Sequence, residues 1–241
     1  MKRLHGVLLG VLEKDIRHPG ACHLLVHATE STPTPELAAP CARYLGNSIP
    51  GASHINHMPS HNLTMLYYAA AMGGESATAI QDAKDLAKLN NNTSMHSMAL
   101  IRFGRFDEVL DISDPPTGEI NVSMYDFSQG YAALKLGDTE MAKQTVRALK
   151  ELTETTTSRF RFHAGKDIGE IAWTEGNIEA AAKAFRLATD YYDNLNYDEP
   201  EPLPFSPRHW LGAAYMEMQA YDNALEVYRQ DLSEHPHNIW S

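Results

Sequence analysis

Small and apolar residues return along the chain at helical spacing, and the same spacing recurs in larger blocks. In the carboxy-terminal block the positions are Leu211-Gly212, Tyr215, Ala224, Tyr228 and Pro236. The same offsets appear at Ile168-Gly169, Ala172, Gly176, Ala181, Phe185 and Ala188, and again at Gly130, Ala133, Gly137, Ala142, Val146 and Leu149. Fainter copies run through Leu66, Ala70, Gly74, Ala79, Ala83 and Leu86, and around Gly104-Arg105-Phe106. Small residues stand where two helices cross, aromatics fill the gaps between them, and glycine marks the turn. No sustained strand-like alternation competes, so the pattern predicts pairs of helices and no sheet.

These are the offsets of the tetratricopeptide (TPR) unit, a helix–turn–helix repeat that buries its faces only by stacking on its neighbours. The expectation is an all-α protein, an α-solenoid of tetratricopeptide-like antiparallel helix pairs. It forms a single helical-repeat domain over residues 1–241, with histidine-bearing repeats over 1–90 and further TPR repeats over 91–241. Some units are more than one period apart, so loops take up the excess. Asp114-Pro115-Pro116-Thr117-Gly118 cannot continue a helix, because proline lacks the N–H and crowds the preceding turn. Asn196 to Pro204 reads as an extended acidic connection, and Asn90-Asn91-Asn92-Thr93 as a helix end with its linker.

At 241 residues the chain is long enough to bury a core without metals or disulfides. Acidic residues exceed basic ones by 31 to 20, a net charge of −11, which disfavours nucleic acid and anionic membranes as partners. No apolar run approaches the roughly 20 residues needed to span a bilayer. Val7 to Leu12 follow a basic start, but Glu13-Lys14-Asp15 come next with no small-residue cleavage site. The segment therefore reads as an amphipathic helix and not an export signal, which favours a cytoplasmic address. Cys22 and Cys41 are too few for a disulfide framework or a cysteine zinc site, and they read as two small buried apolar residues.

One region is chemically loaded. Six of the 12 histidines fall between His18 and His61, in the strings HPGACHLLVHATE and HINHMPSH. On a helix His23 and His27 share a face, and Glu30 joins them three residues on. His23 to His57 and His27 to His61 are each 34 residues, one tetratricopeptide period. Equivalent positions of consecutive repeats lie on neighbouring helices, so the four imidazoles are expected to meet across one groove. Pro50 falls where the first unit should close. Imidazoles so gathered are ligands of zinc, copper or iron, with Glu30 as a further ligand or as the group that orients one. A histidine pair on a helix is also an ordinary solvated or hydrogen-bonded feature. Pro59 requires that a helix start near Met58, leaving His57 at its entrance, or that the helix kink. His23 is followed by leucine and not by glutamate, so the zincin arrangement is not met. His96, His163, His209, His235 and His237 are dispersed and read as surface or packing residues; Trp173, Trp210 and Phe185 read as packing between helices.

In those two strings the chain resembles a group of bacterial tetratricopeptide-repeat proteins that carry HPGxxHxxxHxxE followed by HxxHMPSH. The resemblance extends to Tyr197-Asp198-Glu199-Pro200, Pro207-Arg208, Leu211-Gly212-Ala213 and Tyr228 to Leu232. It departs after His61, which runs directly into Asn62-Leu63-Thr64, as if about one repeat of the group's pattern were missing. The resemblance implies the repeat fold and supplies no reaction.

Two functions follow as expectations. One is a scaffold that binds a protein or peptide partner, or associates with itself into a homo-oligomer, with neither nucleic acid nor a membrane span involved. The other is a metalloprotein or metalloenzyme with His23, His27, His57 and His61 as ligands of a transition metal and Glu30 beside them. No catalytic residue is assigned.

Overall fold

A computed structural model describes residues 2–30, 35–45, 58–155, 159–195, 205–235 and 238–241. Among the described residues the chain is all-α. The helices are α1 (Lys2–Leu12), α2 (Pro19–Glu30), α3 (Ala39–Leu45), α4 (Met58–Met72), α5 (Ser76–Asn90), α6 (Ser94–Arg102) and α7 (Phe106–Leu110). They continue as α8 (Glu119–Lys135), α9 (Thr139–Thr155), α10 (Arg159–Thr174), α11 (Ile178–Asp193), α12 (Arg208–Glu217) and α13 (Tyr221–Glu234), and a 3-10 turn at Pro35–Ala38 precedes α3. Neighbours in sequence pack as neighbours in space, α4 on α5, α8 on α9, α10 on α11 and α12 on α13.

The link within each pair is one turn used five times. Gly74, Gly104, Gly137 and Gly176 have φ of 75°, 69°, 96° and 81°, and Gln219 takes the same place with φ 57°. The residue after each donates its N–H to a carbonyl five residues back: Glu75 to Ala70, Arg105 to Leu100, Asp138 to Ala133, Asn177 to Ala172 and Ala220 to Tyr215, all at 2.8–2.9 Å. This is the Schellman closure of a helix end, and glycine suits it because a Cβ is strained at positive φ. Gln219 carries that strain in the last pair, so the turn is demanded by packing and not only by residue choice.

Between the paired helices the small residues accept large ones. A Cβ on Gly169 would strike the Phe185 ring, and one on Gly212 would strike the Tyr228 ring; Gly130 lies against Thr145. Phe185, Ala181 and Leu211 are completely buried. The α10–α11 and α12–α13 pairs thus lock by the same glycine-and-aromatic contact that the offsets predict, and in α8–α9 a threonine takes the place of the ring.

The predicted breaks are found at Asn90–Thr93, where Asn91 turns left-handed after α5, and at 112–118 between α7 and α8. The acidic connection at 196–204, Pro50 and Pro236 lie outside the described residues. The amino-terminal segment is the expected amphipathic helix, with Leu8 and Leu12 buried against α2 and α3. No helix among the described residues is long and apolar enough to cross a membrane.

The reading of the two cysteines needs correction. Cys22 and Cys41 are buried as expected, but they are joined in a disulfide that ties α2 to α3 across 19 residues. Two cysteines are too few for a framework, yet one bridge needs only two helices side by side, and that adjacency is a tertiary fact.

Residues 238–241 fold back on the early helices. Ile239 donates its N–H to the Met72 carbonyl at 3.2 Å, and Trp240 Nε1 donates to the Ala71 carbonyl at 2.9 Å.

Candidate functional site

The histidine cluster is built on α2 and α4. Pro19 opens α2, where a missing N–H costs nothing, and His18 Nδ1 accepts from the Ala21 N–H at 3.1 Å, closing the helix start. One turn on, His23 and His27 are half-buried on one face, their ring centres 4.8 Å apart and edge to face. Helix α4 begins at Met58, so Pro59 sits in its first turn and no kink is needed. That start puts His61 against His27, with ring centres 5.8 Å apart.

Three of the expected residues therefore gather from two helices: His23, His27 and His61. The 34-residue interval does bring His27 and His61 together. His57 and the side chain of Glu30 lie outside the described residues. Imidazole nitrogens are the right donors for zinc, copper or iron. The three described rings stack edge to face, however, and among the described residues no group of three or more histidine, cysteine, aspartate or glutamate side chains is disposed to hold a metal ion. Chelation by these three would require their rings to turn towards a common point.

A second centre lies among α6, α8, α10 and α12. Helix α10 carries Lys166, Asp167 and Glu170 into the interior, all less than 5% exposed. Lys166 Nζ stands over three aromatic rings, 4.0 Å from the centre of Phe127, 4.6 Å from Phe205 and 4.7 Å from Trp210. Burial pushes its amine well below the ordinary lysine range; Asp167 and Glu170 oppose that shift and Arg102 adds to it. Burial likewise pushes the Asp167 carboxyl well above the usual carboxylate range, against the pull of Lys166. Glu170 accepts from Lys135 Nζ at 2.7 Å and from the Tyr131 hydroxyl at 3.4 Å. Burial, reinforced by the Glu170 charge, raises the Tyr131 phenol far above its normal value.

Arg102 bridges this centre to the carboxy-terminal helices. Its guanidinium lies over Phe205 at 5.1 Å and Trp240 at 4.6 Å, and burial brings its pKa down to about 10. Arg102 Nη1 lies 3.2 Å from His209 Nδ1. A guanidinium only donates, so Nδ1 accepts, while Nε2 faces Asp231 Oδ2 at 3.4 Å and the Asn238 side-chain amide nitrogen at 2.7 Å. His235 meets the other oxygen of Asp231 at 3.4 Å, while Asn238 and Ser241 each donate to Oδ2 at 2.6 Å. His209 and His235 are thus packing residues with one shared carboxylate.

A cleft of 320 Å³ opens beside this centre, between the first helices of three successive pairs. Tyr131 and Lys135 of α8, Glu170 and Trp173 of α10, and His209 and Trp210 of α12 line it. Sequence reasoning left Trp173 and Trp210 as packing residues and passed over Lys166, Asp167 and Glu170. A signal was present: the repeat register buries the face of α10 around Gly169, and Lys166 and Glu170 sit on either side of it.

The paired helices and their recurring turn define an all-α protein of helical-repeat-like build. None of the protein-family models compared with the chain matches it, and no curated protein does.

Proposed function

We propose that the protein is a tetratricopeptide-type α-solenoid scaffold that takes a protein or peptide segment into the groove formed by α8, α10 and α12. The observation that carries this reading is the turn repeated at Gly74, Gly104, Gly137, Gly176 and Gln219, which gives consecutive helix pairs one common geometry. Stacked pairs of one geometry place their first helices side by side, and such rows form binding grooves. The cleft spans three of these helices and presents two tryptophans, residues that anchor partners in buried pockets. The test is a peptide array read against the wild type and Trp173→Ala and Trp210→Ala variants. Sequence-selective binding weakened at least tenfold by either change, about 1.4 kcal/mol, supports the groove; selective binding indifferent to both would remove it. Sedimentation over a range of concentrations decides whether a second copy is the partner.

A second reading is favoured by the gathering of His23, His27 and His61. In it the protein is a metalloprotein, with these imidazoles, His57 and Glu30 holding zinc, copper or iron. Elemental analysis of untagged protein beside His27→Ala tests it: stoichiometric metal lost in the variant supports the reading, and equal metal content in both overturns it.

A further inference from the structure

We propose that the cleft between α8, α10 and α12 takes a basic protein segment, seating a lysine or arginine side chain against its tryptophans with the cationic head on Glu170. The inference rests on reading that cleft as the groove and names the kind of partner that fits it.

The cleft already holds one cation of the chain's own. Lys135, the last residue of α8, donates from Nζ to Glu170 at 2.7 Å and stands 5.0 Å from the centre of the Tyr131 ring. An ammonium set between an aromatic ring and a carboxylate is the arrangement by which proteins hold organic cations. The two partners are unequally placed: the Lys135 side chain is 34% exposed and that of Glu170 only 5%. An incoming anion would have to draw Lys135 away and leave the Glu170 carboxylate buried without its cation, which is costly. An incoming cation takes over Glu170 instead, and Lys135, already at the edge, turns its head into water at little cost. The difference in exposure therefore decides the sign of the ligand.

Trp173 and Trp210 supply the rest of the seat. Both line the cleft and are partly exposed, and Trp210 meets Tyr131 edge to face with ring centres 6.2 Å apart. Indole rings suit both the methylene stem of a lysine and the plane of a guanidinium. Lys166 also stands over Trp210, but buried Asp167 follows it on α10, so that neighbourhood holds both signs. His209, on the same wall, is engaged with Arg102 and Asp231 and does not compete for the head group. The net charge of −11 favours the approach of a basic partner.

The experiment uses the full chain and two capped peptides of glycine and serine, one with a central lysine and one with norleucine in its place. Binding is followed by NMR at the indole N–H signals. The wild type is expected to bind the lysine peptide about tenfold more tightly than its norleucine twin. Glu170→Gln is expected to abolish that preference, and Lys135→Met, which removes the rival cation, to bind the lysine peptide about threefold more tightly than the wild type does. Equal binding of the twins by the wild type, no binding of either, or weaker binding of the lysine peptide by Lys135→Met overturns the proposal. In that event a peptide array that still selects neutral or acidic segments, weakened by Trp173→Ala or Trp210→Ala, keeps the groove; an array without tryptophan-dependent binding removes both readings. If Glu170→Gln does not fold, the wild type and Lys135→Met decide.

Discussion

The indole N–H of Trp240 donates to the backbone carbonyl of Ala71, 169 residues away in the chain, at 2.9 Å. That bond joins the tail beyond α13 to the end of α4, and the Arg102 guanidinium stacks on the same indole. Trp240→Ala removes the hydrogen bond, the cation–π contact and the apolar cover together. The expected cost is about 2 kcal/mol, measured by urea unfolding, with faster amide exchange at Ile239 as the local sign. An unchanged midpoint would mean that the tail contributes nothing to the folded state.

Gly169 has no room for a methyl group, because the Phe185 ring occupies the space. Gly169→Ala is expected to destabilise by about 1–3 kcal/mol through overpacking. Phe185→Leu alone costs stability as well, but the double variant should recover part of the sum, since the smaller side chain makes space for the methyl. Strict additivity in a double-mutant cycle would show that the two residues do not lock the pair.

The disulfide gives a prediction confined to the amino-terminal helices. Closing a loop of this length contributes about 3 kcal/mol in the chain-entropy model. Reduction, or Cys22→Ser with Cys41→Ser, should loosen α1 to α3 and increase proteolysis there, while the melting of later helices changes little. Alkylation of both thiols in the untreated, unfolded protein would disprove the bridge.

Acid sensitivity should centre on Asp231. Burial alone would raise its pKa, but hydrogen bonds from His209, His235 and Ser241 outweigh burial and hold the carboxyl far below its ordinary value. A folded pKa below the unfolded one contributes stability that is present above the unfolded value and lost as pH falls through the acid range. His209 works in the same direction at milder pH: burial lowers its pKa, so protonation below about 6.5 favours the unfolded chain. Asp231→Asn is expected to be less stable near neutral pH and to lose stability less steeply below about pH 4. Parallel pH profiles for the two proteins would count against this carboxylate.

The pairing of helices was legible because its causes are local. A small residue, an aromatic and a turn glycine recur at fixed offsets, and Gly169 with Phe185 meet in space as those offsets require. The start of α4 at Met58 was legible as one of two alternatives, since Pro59 fits the first turn of a helix and would kink its middle. The histidine stack was readable in part: the helical period puts His23 beside His27, and the repeat period puts His61 near them. How the rings face one another depends on rotamers set by α2 packing against α4, which no interval in the sequence encodes.

By itself, the sequence determined an all-α chain of paired helices, the positions of their turns, and the place where histidines concentrate. These follow from backbone sterics and from apolar periodicity, which act over a few residues. The Cys22–Cys41 bridge, the aromatic enclosure of Lys166, the sharing of Asp231 by two histidines and the return of Trp240 to Ala71 were decided by tertiary structure alone. Each joins residues whose proximity depends on how whole helices pack, and a side chain's protonation and reactivity depend on the burial that this packing creates.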